Sequence, residues 1–89
     1  MERKGIMRFL LQQQGNNVIL DMEGIISAII EIENLKITRK KNYIFLNNVG
    51  LNLNQLMRIG MTNESEIFLE FDQLQTVKIK ITKAESSLL

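Results

Sequence analysis

Apolar and polar residues alternate most cleanly in the last third of the chain. Ile67, Leu69 and Phe71 fall on one side of an extended segment while Phe68 and Glu70 fall on the other, the pattern of a strand with one buried and one wet face. Val77, Ile79 and Ile81 alternate with Lys78 and Lys80 in the same way, which predicts a further strand over Thr76 to Thr82. Lysines on its open side suit an edge strand or an exposed face. Upstream, Tyr43-Ile44-Phe45-Leu46 is a short run of β-formers stopped by Asn47-Asn48, so it reads as a buried strand ending in a turn. Leu53, Leu56 and Met57 recur at helical spacing, and one short helical turn would lay all three on a core.

The N-terminal half is less regular. Met7, Phe9 and Leu11 alternate with Arg8, Leu10 and Gln12, giving a strand, and Gly15-Asn16-Asn17 closes a hairpin onto Val18, Leu20 and Met22. Glu23 to Lys40 carries two signals. Ile25, Ile29 and Ile32 form a helical stripe that Asp21 is placed to cap, whereas the isoleucine content and the alternation through Ile30-Glu31-Ile32-Glu33 favour β-structure.

The stretch from Lys41 to Asp72 resembles the second half of the ubiquitin family, with matches at Ile44, Phe45, Leu56, Glu64, Ser65 and Leu69 and conservative changes at Met61 and Ile67. The resemblance implies an α+β fold, a ubiquitin-like β-grasp with a mixed sheet, one crossover helix over Glu23 to Lys40, and an extra C-terminal strand. On that reading residues 7–82 form the domain, with flexible ends at 1–6 and 83–89. It also implies a partner-binding face. Ile44 falls on the family's patch isoleucine and Phe68 on a neighbouring ring position, with Leu10 beside them; Tyr43 and Phe45 then take the core side. Glu70 replaces an apolar patch residue, and Asn42 and Asn47 replace a basic residue and a glycine, so an ordinary ubiquitin receptor is not the expected partner. The chain ends Ser-Ser-Leu-Leu instead of Gly-Gly, which implies a non-conjugating type.

Composition narrows the chemistry. With 89 residues the chain makes one domain with a modest core, and 45% apolar with 24% charged residues is a normal globular balance. It has no cysteine and no histidine, so the commonest zinc ligands and the commonest general base are both missing, and no enzyme, cofactor or metal site is expected. A formal charge of +1 draws the protein as a whole to neither nucleic acid nor membrane, and neither is an expected partner. The cluster Lys36, Arg39, Lys40 and Lys41 reads as a solvated basic loop. Soluble, intracellular placement fits the lack of cysteine and of any long apolar run. The expected function is a non-enzymatic protein-binding adaptor or complex subunit acting through the sheet face. The alternative is a small dimeric β-rich structural or regulatory protein that swaps or edge-pairs its C-terminal strand.

Overall fold

A computed structural model describes residues 3–82 and the side chains of residues 4–82. One helix, α1 (Arg3–Gln12), leads into eight strands: β1 (Asn17–Glu23), β2 (Ala28–Ile32), β3 (Ile37–Lys40), β4 (Tyr43–Leu46), β5 (Val49–Asn52), β6 (Leu56–Asn63), β7 (Glu66–Phe71) and β8 (Thr76–Thr82). They form two sheets, one of five strands in the order β2-β1-β8-β7-β6 and one of three in the order β3-β4-β5. Every pairing is antiparallel.

This corrects the ubiquitin-like β-grasp expectation. No mixed sheet and no crossover helix occur among the described residues, because Glu23 to Lys40 gives β2 and β3 instead of a helix. The β-branched side chains of that segment lose rotamer freedom in a helix and pack well on a pleated surface, so their local preference prevails. Register confirms the choice, since Ile32, Ile30 and Ala28 sit opposite Val18, Leu20 and Met22 and turn to the same inner face.

The helix lies where a first strand was expected. Residues 7–12 contain no β-branched residue, and Ile6, Phe9 and Leu10 fall at helical spacing along one stripe. Ile6 and Leu10 are fully buried, Met7 and Phe9 pack partly against the core, and Arg8 and Leu11 face outward. Residues 3–6, expected to be loose, are the first turn of this helix; residues 83–89 lie outside the described part of the chain. Beyond the helix, Gly15 adopts a φ of +92°, which glycine reaches without strain. Its amide donates to the Leu35 carbonyl at 2.9 Å, and the Leu35 amide donates to the Asn16 carbonyl at 2.8 Å. The end of α1 is thereby stitched to the start of β3.

One core holds all the layers together. The inner face of the large sheet contributes Val18, Leu20, Ile67, Leu69, Val77 and Ile79, α1 contributes Ile6 and Leu10, and the small sheet contributes Ile37, Ile44, Leu46 and Leu51. The helix and the small sheet thus cover the same face of the five-stranded sheet. Leu53 starts a 3-10 turn that Asn52 caps by accepting from the Asn54 amide, and Leu53 and Leu56 are buried as expected. Met57 is exposed instead, because Leu56 begins β6 and the next residue of a strand points the other way.

Strand β4 has its faces reversed relative to expectation. Ile44 and Leu46 are fully buried while Tyr43 is exposed, since Ile44 pairs with Leu51 and Leu46 with Ile37 on the inner side. All four residues of Tyr43–Leu46 are apolar, so the strand carries no polar mark of its own outer face, and a shift of one residue exchanges the two sets.

Ile44→Ala is therefore expected to cost about 2–5 kcal/mol and Leu69→Ala a similar amount, the range for deleting a buried aliphatic side chain. Phe68→Ala, on the opposite face, should cost clearly less. Urea denaturation midpoints of the three variants check the faces, and an Ile44→Ala midpoint no lower than that of Phe68→Ala would contradict the packing.

Candidate functional site

The six residues expected to form a binding face do not come together. Ile44 and Leu10 are 0% exposed and belong to the core, which corrects their assignment to an accessible patch. Asn42 lies in the β3–β4 turn and Asn47 in the β4–β5 turn, at opposite ends of the small sheet. Both serve the backbone: the Asn42 carbonyl accepts from the Leu53 amide at 2.8 Å, and the Asn47 side-chain oxygen accepts from the Lys36 amide at 2.8 Å.

Phe68 and Glu70 do share a surface, the outer face of the five-stranded sheet. Phe68 lies between Lys78 on β8 and Gly60 on β6, and Glu70 lies opposite Arg58, with which it forms an ion pair at 2.9 Å. Arg58 is mostly solvent-exposed, so this pair is worth about 0–1 kcal/mol. Ile19 and Ile29 occupy the same face farther along, and polar or charged residues separate them from Phe68. That surface is a mixed polar carpet with isolated apolar side chains.

A stronger concentration of exposed apolar groups lies at one end of the sheet, on two adjacent turns. Ile25 and Ile26 in the β1–β2 turn are 69% and 58% exposed, and Leu74 in the β7–β8 turn is 82% exposed. Gln75 binds the two turns together. Its side-chain oxygen accepts from the Ile26 amide at 2.8 Å, and its side-chain nitrogen lies 3.0 Å from the Glu23 carbonyl and 2.9 Å from the Ile26 carbonyl. Gly24 makes the close approach possible: its φ is +135°, and a β-carbon there would come within 2.7 Å of the Leu74 carbonyl oxygen. Gln73 and Leu74 themselves hold positive φ values of 60° and 64°, a conformation that costs a residue with a side chain on the order of 1 kcal/mol or more.

Beneath these turns opens a cleft of about 290 Å³. Met22, Leu51, Phe71 and Val77 are apolar residues in its wall, Tyr43 and Gln55 bound the small-sheet side, and Asp72 is its one carboxylate. It suits an apolar side chain with a polar neighbour. Among the described residues no group of three or more His, Cys, Asp or Glu is placed to hold a metal ion, and no helix is long and apolar enough to cross a membrane.

Gln75 and the exposed turns were not foreseen from the sequence. The helical spacing of Ile25 with Ile29 and Ile32 masks the turn, whose signal in the sequence is Gly24 and Ser27 on either side of Ile25 and Ile26. In comparison with known proteins, the chain matches no protein-family model and no curated protein, and its fold matches no solved structure.

Gly24→Ala is expected to destabilise the protein by more than about 1 kcal/mol, because the added methyl group meets backbone atoms in a conformation that favours glycine. Gln75→Ala should instead loosen the two turns locally. Hydrogen exchange at the Ile26 amide reads this directly: protection is expected to fall in Gln75→Ala, and unchanged protection would show that the bond does not hold the turn.

Proposed function

We propose that this protein is a non-enzymatic protein-binding module, an adaptor or a subunit of a larger complex, that engages its partner through the paired turns at Ile25, Ile26 and Leu74. The observation that carries this reading is the exposure of three large aliphatic side chains on turns that are held in place by Gln75. Exposed apolar groups held rigidly lose little conformational entropy on binding and favour association. The partner that fits is a protein presenting an apolar side chain to the cleft, with a donor or cation near it to meet Asp72. The absence of cysteine suits a soluble protein of a reducing, intracellular compartment.

A second reading, a homodimer, is favoured by the edge position of β2 among the described strands of the large sheet and the exposure of Ile29 on it. Pairing through the C-terminal strand is not its route, since β8 has β1 on one side and β7 on the other.

An Ile25→Ser/Leu74→Ser double variant should keep its melting temperature, since neither side chain is buried, and should lose its partner. A photo-crosslinking residue at position 25 identifies that partner, and a second at Asn63 serves as a control. The cross-linked protein, purified, should bind wild type at least about tenfold more tightly than the double variant, as expected when central apolar contacts are removed. Equal affinity would place the interface elsewhere. Sedimentation of wild type and Ile29→Lys separates out the dimer, which the lysine should dissociate.

A further inference from the structure

The formal charge of +1 conceals a segregation. Residues 4–16 and 34–55, which build α1, the small sheet and their connections, hold six cations, Lys4, Arg8, Lys36, Arg39, Lys40 and Lys41, and no Asp or Glu. Residues 17–33 and 56–82, which build the large sheet, hold eight carboxylates against three cations. The basic half is concentrated at the β3–β4 hairpin. Lys40 lies opposite Tyr43 on the outer side, while Arg39 lies opposite Ile44 on the other face and donates its Nε–H to the Lys41 carbonyl at 3.1 Å.

The same hairpin displays a pair of aromatic rings. Tyr43 and Phe45 point to the outer face of the small sheet and stack with centroids 5.9 Å apart and planes 26° from parallel. Tyr43 is 41% exposed. Phe45 leans across Gly50 on the neighbouring strand, where a β-carbon would come within 2.8 Å of the ring. Glycine at that position lets the ring lie low on the sheet. Lys40, Lys41 and Asn42 join the two rings around a shallow concavity of about 250 Å³.

We propose that this face binds single-stranded nucleic acid, with a base stacked on the Tyr43–Phe45 pair and the flanking phosphates met by Lys40 and Lys41. Stacking on aromatic side chains accepts any base, and a groove of cations releases the counterions of the strand, so the two features together define a site with little sequence preference. The β3–β4 hairpin carries no carboxylate of its own to repel phosphates, although Asp72 lines the cleft that Tyr43 also borders. An acidic peptide would satisfy the cations and leave the exposed ring pair without a role, which is why the strand is the better occupant. This site is separate in chemistry from the apolar turns proposed to bind protein, although Tyr43 also borders their cleft.

Tyr43 supplies a direct test, because the chain contains one tyrosine and no tryptophan, so its intrinsic fluorescence reports from this face. An oligo-dT strand of about 15 nucleotides, in the size range one such site covers, should quench that fluorescence on titration. With the strand labelled by fluorescein, anisotropy should show a Kd in the range of about 1–100 µM at moderate salt, weakening with added salt as expected for about two phosphate contacts. Tyr43→Ala should weaken binding about tenfold through the lost stacking, and Lys40→Glu/Lys41→Glu should abolish binding while leaving the melting temperature near wild type. Tyr43→Phe, which keeps the ring, should bind as wild type and guards against a folding defect in the alanine variant. No anisotropy change at about 100 µM protein would overturn the proposal. So would binding without tyrosine quenching, or binding indifferent to Tyr43→Ala and displaced equally by polyglutamate, which would mark a surface for acidic protein segments instead.

Discussion

The large sheet depends on one strand, β8, which lies between β1 and β7. Each of its outer pairs is local: β1 with β2 and β6 with β7 are neighbours in sequence. Nothing but β8 joins the two hairpins into one sheet, and it does so across the longest separation in the fold, pairing Asn17 with Thr82 and Glu23 with Thr76. Leu20, Ile79 and Ile67 form one row across the three strands, and all three are fully buried. Side chains of the helix and the small sheet belong to the same buried core as that row. Non-local closure of this kind costs loop entropy before its contacts form, so folding is expected to wait on the C-terminal strand.

The central place of β8 also explains what was legible in the chain and what was not. Segments with one polar and one apolar side announced both their type and their register: the strands over Glu66–Phe71 and Thr76–Thr82 lie where the alternation puts them, with Phe68 and Glu70 outward. Position within the sheet was not legible, because lysines on one face look the same on an edge strand and on a central strand with a wet outer side. Two segments lacked a distinguishing polar mark. Tyr43–Leu46 is apolar throughout, so its neighbours Leu51 and Ile37 decide which face is buried, and Met7–Gln12 alternates acceptably while also fitting a helix once Ile6 is counted. Between Glu23 and Lys40 the β-branched composition was the better guide, and the resemblance to the ubiquitin family led away from it. Of the candidate site, Phe68 and Glu70 were visible as outward residues, whereas Ile25, Ile26, Leu74 and Gln75 depend on two turns about fifty residues apart meeting in space.

That meeting has a local cost. Gln73 and Leu74 hold conformations that residues with side chains rarely adopt, and Gly24 is confined against the backbone of the opposite turn. Gln75 offsets it by bonding to carbonyl and amide groups of the β1–β2 turn that would otherwise compete for water. The exposed side chains are thus presented on a backbone with little freedom. Leu74 in particular gains nothing visible from the fold itself, being the most exposed large apolar residue described. A side chain so exposed contributes little apolar burial to stability, and the strain of its backbone is held by the surrounding turn contacts.

Charge is arranged by the same geometry. On the outer face of the large sheet, register sets Lys80 opposite Glu66 and Lys78 opposite Asp21, while Arg58 pairs with Glu70, so opposite signs meet across strands and their fields largely cancel at short range. No carboxylate is available for such cancellation within residues 34–55, which carry Lys36, Arg39, Lys40 and Lys41. At physiological ionic strength charges separated by more than about 8 Å are screened from one another, so the acidic face does little to neutralise the basic hairpin at a ligand's distance. The sum of charges is therefore a poor description of this protein: a ligand approaching the β3–β4 hairpin meets Lys40 and Lys41 beside two aromatic rings, and one approaching the large sheet meets more carboxylates than cations. Any account of what the protein binds has to begin from the face, because the net charge averages over two surfaces of opposite character.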